Sequence, residues 1–160
     1  MTKEKIPSSP AILALKEQSA VFTLHPYKFE EKGGTKVSAR QLGVDEHCVV
    51  KTLIMEDENA KPLIILMHGD KEVSTKSLAR SIGAKSIVPC RPEIAQKHTG
   101  YKVGGTSPFG TKKVMPVYME KTIGDLPSIF INAGSRGLLA QMSPVEVIRI
   151  LQPIPVSVAI

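Results

Sequence analysis

A single lysine interrupts an apolar segment that has the composition of a β-strand. Lys51 stands in the run Val49-Val50-Lys51-Thr52-Leu53-Ile54-Met55. Because strand side chains alternate between faces, the lysine shares a face with Val49 and Leu53. Its ammonium group can hold an anion inside a concave site, or it can be an edge-strand charge that blocks aggregation. The strand by itself leaves both interpretations open.

A glycine-rich segment at positions 99–113 is the second candidate for chemistry. It contains Gly104-Gly105 and, after one residue, Ser107-Pro108. Glycine lacks a Cβ atom, so these backbone N–H groups can approach a ligand and polarise a carbonyl oxygen. The same residues also suit a purely structural turn. A P-loop is excluded, because its pattern requires a lysine directly after the second glycine and Thr111 stands there.

A third candidate is the glycine-punctuated segment at positions 132–138, interpreted as a loop that follows a strand and lines the same site. No metal, cofactor or protein nucleophile is expected beside these segments. Cys48 and Cys90 lie far apart and are expected to be ordinary reduced residues. The four histidines lack metal-ligand spacing, and no G-x-S-x-G elbow supports a Ser/His/Asp triad.

Composition limits the class of protein. A chain of 160 residues with 42% hydrophobic content suits one domain, taken as 1–160 with a core over about 10–155. The formal charge of +6 favours a polyanionic partner, although a merely solvated basic surface also fits. Four Phe, three Tyr and no Trp argue against a dedicated single-strand binder. With no long apolar run and no signal-peptide core, we expect a cytoplasmic protein that does not associate with membranes.

The elements that must position these residues are short and separated by glycine and proline. Capping residues and apolar periodicity predict helices at 10–19, 36–42, 74–82, 92–98 and 144–151. Strands are predicted at 21–27, 48–55, 62–68, 114–119 and 128–132, with the second and third paired. This mixed order predicts an α+β fold, in which helices surround a mixed, mostly antiparallel sheet or barrel.

Taken together, these segments resemble the YbaK/EbsC family, which includes the editing domain inserted in bacterial prolyl-tRNA synthetases and its free-standing relatives. The similarity extends from about position 13 to 151. The residues that carry it are Val50-Lys51-Thr52-Leu53, Thr99-Gly100-Tyr101, Val103-Gly104-Gly105, Ser107-Pro108, Gly110, Lys112-Lys113, Gly134 and Arg136-Gly137-Leu138.

The resemblance implies a trans-editing deacylase that hydrolyses mischarged tRNA(Pro), with Cys-tRNA(Pro) as the leading substrate and prolyl-tRNA synthetase as a candidate partner. Lys51 is implied to hold the 3′-terminal nucleotide, and Gly104 and Gly105 to act on the aminoacyl carbonyl. The attacking group is implied to be the substrate's own thiol or, for alanine, a bound water. The remaining implied substrate-binding residues are Tyr27, Thr52, Thr106, Ser107, Pro108, Asn132, Gly134, Arg136 and Gly137.

Two departures from the family pattern keep other functions open. Leu139 stands where relatives acting on cysteinyl-tRNA(Pro) carry Asp, and no aromatic counterpart is evident near Gly33-Gly34. One alternative is therefore a nucleotide or tRNA acceptor-end binding module with little or no activity, which Leu139 favours. Another is a toxin-like or regulatory interaction protein whose basic surface is the active part.

Overall fold

The computed structural model describes residues 8–160, so the first seven positions of the predicted domain lie outside the described part. Its strands are β1 (Thr23–Pro26), β2 (Val49–Asp57), β3 (Pro62–His68), β4 (Ile87–Pro89), β5 (Val117–Glu120), β6 (Ile129–Ser135), β7 (Leu138–Met142) and β8 (Ile154–Val156). Its helices are α1 (Pro10–Glu17), α2 (Gly34–Leu42), α3 (Thr75–Ile82), α4 (Pro92–Thr99) and α5 (Pro144–Leu151). None of these helices is long and apolar enough to cross a bilayer.

All eight strands join one mixed sheet with the order β1-β7-β6-β2-β3-β5-β8, and β4 pairs with the far end of β2. The β2–β3, β2–β4, β6–β7 and β1–β7 pairs are antiparallel, whereas β2–β6, β3–β5 and β5–β8 are parallel. The predicted α+β fold and the predicted β2–β3 pairing are confirmed. Within residues 8–160 the two outer strands do not pair with each other, so the sheet is open and not a closed barrel.

Local capping explains where the helices begin and end. The Ser9 hydroxyl accepts the Ile12 N–H at 3.1 Å at the start of α1, and Pro10 occupies the first turn, where a missing N–H costs nothing. Ser143 and Pro144 repeat this arrangement at the start of α5. Gly43 ends α2 with a φ of 67°, a left-handed conformation that glycine adopts without strain.

Apolar side chains pack on both faces of the sheet, in one large cluster on one face and two smaller clusters on the other. The main core lies on one face, where α1, α5 and the segment after α4 cover the strands; its largest side chains include Phe109, Tyr101 and Leu15. On the other face, α3 covers a smaller cluster that we call the α3 core: Met55, Leu63, Ile65, Met67, Leu78, Ala79, Ile87, Val156 and Val158. Beside it lies the site-side cluster of Ala39, Val49, Phe130 and Leu139.

The sequence-based assignment of elements was wrong in one region and incomplete in others. The segment at 132–138 is not a loop, because Asn132 lies within β6 and Leu138 begins β7. An irregularity in the pairing between Asn132 and Ser135 accommodates the glycine there. The short strands β4 and β8 were also not anticipated. Each has only three residues, so pairing with distant strands and not local pattern defines them.

Candidate active site

Lys51 lies on a central strand, because β2 pairs with β3 on one side and with β6 on the other. It is therefore not an edge-strand charge. Its side chain is 18% exposed, and its Nζ donates a hydrogen bond to the Lys71 carbonyl at 2.5 Å. The same Nζ lies 3.6 Å from Glu72 Oε1, whose side chain is 80% exposed. The ammonium is thus half-buried and held by the connection between β3 and α3.

The C-terminal residues hold that connection in place. Glu72 and Ile160 exchange two backbone hydrogen bonds at 3.0 and 2.9 Å. The buried carboxylate of Glu120 accepts the N–H groups of Val158 at 2.7 Å and Ala159 at 3.0 Å. Hydrogen bonds to a charged acceptor are stronger than neutral ones. Glu120 therefore holds the C-terminal residues, and these in turn position the groups that accept from Lys51.

Asn132 connects the lysine strand to the glycine-rich segment. The parallel register pairs Val50 with Ile131, so Lys51 and Asn132 are the next neighbours along β2 and β6 and share a face. The Asn132 side-chain amide donates to the Gly104 carbonyl at 3.1 Å, and its Oδ1 accepts the Gly134 N–H at 2.7 Å. One side chain thus fixes the glycine-rich segment beside the strand that carries the cation.

Close packing explains the paired glycines. Gly104 has a φ of +87°, and a Cβ atom added there would lie 2.7 Å from the Phe29 ring. A Cβ atom at Gly105 would lie 2.9 Å from the backbone nitrogen of Arg136. The Gly105 N–H donates to Lys102 at 2.9 Å within a turn. Within residues 8–160, no hydrogen bond from the Gly104 N–H to a protein acceptor is found, and Gly104 is exposed whereas Gly105 is buried.

Arg136 and Tyr27 border the same region. The Arg136 Nε donates to the Val103 carbonyl at 2.8 Å, and its guanidinium carbon lies 4.9 Å from the centre of the Phe29 ring. The Tyr27 N–H donates to the Gly137 carbonyl at 2.9 Å. The Tyr27 side chain packs against the site-side cluster, where burial raises the pKa of its phenol. The phenol therefore stays neutral at physiological pH.

Several predicted ligand residues lie in packed surroundings. Ser107 is fully buried, and its hydroxyl accepts the Phe109 N–H at 3.2 Å. Pro108 is also buried, and the Thr106 hydroxyl donates to the Lys102 carbonyl at 3.4 Å. Thr52 follows Lys51 directly and so faces the main core; within residues 8–160 its buried hydroxyl has no partner. The Thr52 side chain thus lies on the opposite face from Lys51, and the Ser107 hydroxyl is bonded within its own turn.

Gly134 also has a packing role. It adopts a φ of +93°, and an added Cβ atom would lie 2.9 Å both from the Ser9 hydroxyl and from the Tyr101 ring. Tyr101 donates from its hydroxyl to the Phe109 carbonyl at 2.5 Å, and burial raises its pKa to about 12. Gly134 thus lets β6 pass close to the start of α1.

Phe29 was not predicted as a site residue, and the sequence alone left the environment of Leu139 undefined. Phe29 lies between β1 and α2, four residues before the Gly33-Gly34 pair near which no aromatic counterpart was evident. Its only sequence signal is its place two residues after Tyr27. Leu139 pairs with Asn132 on β6 and with His25 on β1, is 4% exposed and belongs to the site-side cluster. It places an apolar side chain beside Asn132.

Other titratable side chains give little support for a metal or a thiol nucleophile. Among residues 8–160, no group of three His, Cys, Asp or Glu side chains is arranged to hold a metal ion. Burial, followed by the nearby Glu56 carboxylate, raises the pKa of Cys90 to about 11. Burial and Asp45 also raise the pKa of Cys48. Both side chains are therefore protonated thiols at neutral pH.

Comparison with known proteins identifies the class to which this fold and site belong. The model of the aminoacyl-tRNA editing domain family matches residues 30–150, which include β2, the glycine-rich segment and the β6–β7 hairpin. The chain belongs to the aminoacyl-tRNA editing domain family.

Individual relatives agree with this assignment. EbsC of Enterococcus faecalis, provisionally named a Cys-tRNA(Pro)/Cys-tRNA(Cys) deacylase, is 27% identical over 156 residues, covering 94% of this chain and 93% of that protein. A proline–tRNA ligase of Thermodesulfovibrio yellowstonii is 30% identical over 125 residues, covering 77% of this chain but 20% of the ligase. The crystal structure of a candidate trans-editing enzyme for prolyl tRNA synthetase has the same fold, with a TM-score of 0.84 at 19% identity, covering 96% of this chain and 98% of that one.

Proposed function

We propose that this protein is a trans-editing aminoacyl-tRNA deacylase that hydrolyses the ester of mischarged tRNA(Pro) in the cytoplasm. The observation that carries this proposal is the half-buried Lys51 ammonium, which lies on the same sheet face as Asn132, the residue that anchors the glycine-rich segment. Membership of the editing-domain family supplies the substrate class. Cys-tRNA(Pro) is the leading substrate, because the E. faecalis relative carries that name.

Lys51 would bind the phosphate of the 3′-terminal nucleotide. In the free protein its ammonium is shared between the Lys71 carbonyl and the carboxylate of Glu72. An exposed ion pair of this kind contributes little, because water and salt screen it. A phosphate group would therefore displace Glu72 at small cost while the carbonyl contact keeps the ammonium in place.

The Gly104 N–H would donate to the carbonyl oxygen of the aminoacyl ester. As the nucleophile bonds to the carbonyl carbon, negative charge develops on that oxygen, and a fixed N–H stabilises it. The nucleophile gives up its proton to water, the tetrahedral intermediate collapses, the bond to the ribose oxygen breaks, and that oxygen takes up a proton from water. Where the thiol is the nucleophile, water then opens the resulting thiolactone to give the free amino acid. The nucleophile is the substrate's thiol for a cysteinyl ester and a bound water for an alanyl ester. An activated ester held in position needs no protein nucleophile.

The side-chain pocket would favour a small uncharged amino acid. Leu139 contributes an apolar wall beside Asn132, and the neutral phenol of Tyr27 lies on the same cluster. A carboxylate at position 139 would attract the substrate's ammonium group, and Leu139 removes that attraction. We therefore expect selection by size and polarity, with prolyl-tRNA synthetase as a candidate partner that supplies further tRNA selectivity.

The test compares hydrolysis of cysteinyl-, alanyl- and prolyl-tRNA(Pro) by the wild type, by Lys51→Ala and by Lys61→Ala. Lys61 is an exposed lysine in the β2–β3 hairpin and serves as the matched control. We expect Lys51→Ala to lose about a hundredfold in kcat/KM, because an acceptor end without its phosphate contact no longer holds the ester in position. Equal loss in both variants, or full activity of folded Lys51→Ala, would contradict the proposed role of Lys51.

A second function, an acceptor-end binding module without turnover, is favoured by one observation. Leu139 places a packed apolar side chain where the resemblance to the family implies a carboxylate. If the wild type binds an uncharged acceptor end through Lys51 but cleaves none of the three esters, this second function replaces the first. Restoration of cleavage by Leu139→Asp would then identify the lost group.

A further inference from the structure

A second concentration of positive charge lies on α3 and on the turn that follows it. Lys76, Arg80 and Lys85 surround a surface cavity of about 410 Å³, with Ala79 and Ile87 also in its lining. The hydroxyls of Thr75 and Ser86 line the same cavity. We call Thr75, Lys76, Arg80, Lys85 and Ser86 the α3 basic surface.

Helix geometry places these cations together. Leu78 and Ala79 face the α3 core, so Lys76 and Arg80, four residues apart, share the exposed side of the helix. Gly83 ends the helix with a φ of 75°, and the chain turns back to bring Lys85 to the same cavity. Like charges at this spacing repel each other by a few tenths of a kcal/mol. Their grouping therefore does not stabilise the fold.

These cations remain available to a ligand. None of the ion pairs found among residues 8–160 includes Lys76, Arg80 or Lys85. Two acidic residues lie nearby: Asp57 pairs with Ile87 across β2 and β4, and the Glu58 Oε1 accepts the backbone N–H of Lys85 at 3.0 Å. The Glu58 carboxylate binds the backbone of the turn and leaves the Lys85 ammonium unpaired. A polyanion would gain affinity here by releasing its counterions.

The α3 basic surface and the Lys51 site lie on the same face of the sheet. Leu53, two residues from Lys51 on β2, packs against the α3 core that Leu78 and Ala79 complete. The connection from β3 to α3 supplies the Lys71 carbonyl that holds the Lys51 ammonium. One ligand can therefore approach the Lys51 site and the α3 basic surface from the same side of the sheet.

We propose that the α3 basic surface binds the phosphodiester backbone of the tRNA acceptor stem while its 3′ end occupies the Lys51 site. This inference rests on the proposed deacylase function. The surface offers cations and hydroxyls, groups that contact phosphates, and no aromatic side chain on which a base would stack. It thus suits a duplex backbone and gives affinity without reading base sequence.

The test measures binding of an uncharged acceptor-stem minihelix by fluorescence anisotropy over a series of salt concentrations. Lys76→Ala/Arg80→Ala is compared with Lys16→Ala/Lys97→Ala, which removes two exposed cations from α1 and α4, on the main-core face. We expect the first pair to weaken binding about tenfold or more at 0.1 M salt. The slope of log K against log salt should fall by about one to two. Equal losses in both pairs, or none in the first, would overturn the inference.

A second measurement separates this inference from the proposed function. Each variant is assayed on full-length aminoacyl-tRNA and on an aminoacylated CCA trinucleotide, which lacks the acceptor stem. We expect Lys76→Ala/Arg80→Ala to lower kcat/KM about tenfold on the tRNA only, whereas Lys51→Ala should lose activity on both substrates. If the wild type cleaves neither, the deacylase proposal fails and the minihelix titration still decides the role of α3. Loss of synthetase binding with unchanged minihelix affinity would assign the surface to a protein partner and overturn the inference.

Discussion

The two faces of the sheet differ in what covers them and in what they contribute. On one face, α1, α5 and the segment after α4 bury a continuous apolar core. On the other, the site-side cluster and the α3 core remain separate, and Lys51 and Asn132 lie on this divided face. Two small clusters leave room for a half-buried cation, which a continuous core would not tolerate without a partner.

Strand β2 shows the same contrast between neighbouring residues. Val50 and Ile54 belong to the main core, whereas Lys51 and Leu53 point to the opposite face. A substitution on the main-core face should therefore reduce the free energy of unfolding, and one at Lys51 should reduce activity instead. The predictions below test this separation, in order of decreasing effect.

Phe109→Ala should give the largest loss of stability. Phe109 is 1% exposed within the main core, so its truncation leaves a cavity and should cost about 3–5 kcal/mol. Lys51→Ala, which removes one hydrogen bond to a backbone carbonyl, should cost about 1 kcal/mol. Urea unfolding followed by circular dichroism measures both values. Comparable losses of unfolding free energy in the two variants would show that both faces contribute equally to stability.

Glu120→Gln should loosen the contacts that hold the Lys51 acceptors. The buried carboxylate accepts two backbone N–H groups, and an amide supplies one acceptor atom and one unwanted donor. We expect a loss of about 1.5–3 kcal/mol in unfolding free energy. Amide exchange should become faster at Glu72 and Val158, with Glu31→Gln, an exposed loop position, as control. Unchanged amide exchange at Glu72 would show that the C-terminal residues do not position the groups that accept from Lys51.

Glu72→Gln should strengthen binding of an acceptor end slightly. Its carboxylate competes with phosphate for Lys51, but it is largely exposed, so its removal should lower Kd by a factor of about two to five. The effect should shrink as salt rises, because screening already weakens the ion pair. Titration at low and high salt measures it. A higher Kd in the variant would instead show that Glu72 positions the Lys51 ammonium.

The two cysteines give the smallest effect and report on both faces, since Cys90 packs against the main core and Cys48 against the site-side cluster. Burial raises the pKa of both thiols, that of Cys90 to about 11. A raised pKa means less thiolate, so at pH 8 roughly one Cys90 in a thousand is reactive. Alkylation of the native protein should be slow at pH 8 and accelerate towards pH 11. Rapid alkylation of Cys90 at pH 8 would indicate that its surroundings open.

Local signals predicted much of the fold. Ser9-Pro10 and Ser143-Pro144 marked the starts of α1 and α5, and β3 was predicted with the bounds that it has. The short strands β4 and β8 were not predicted, because distant partners stabilise them. β7 was also not predicted; it pairs with its neighbour β6 and, through Leu139, with His25 near the start of the chain. The register irregularity in β6 likewise depends on packing of Gly134 against Ser9 and Tyr101.

The sequence by itself determined that Lys51 interrupts an apolar strand face, that Gly104 and Gly105 lack side chains, and that no P-loop is present. Alternation along a strand and the freedom of glycine are local properties of the backbone, so no partner is needed to predict them. Only the tertiary structure decided that the ammonium is held by Lys71 and Glu72, that Asn132 holds Gly104, and that Phe29 packs on the glycine-rich segment. Each of these joins segments far apart in the chain, and such contacts are fixed only when the whole sheet and its covering helices pack together.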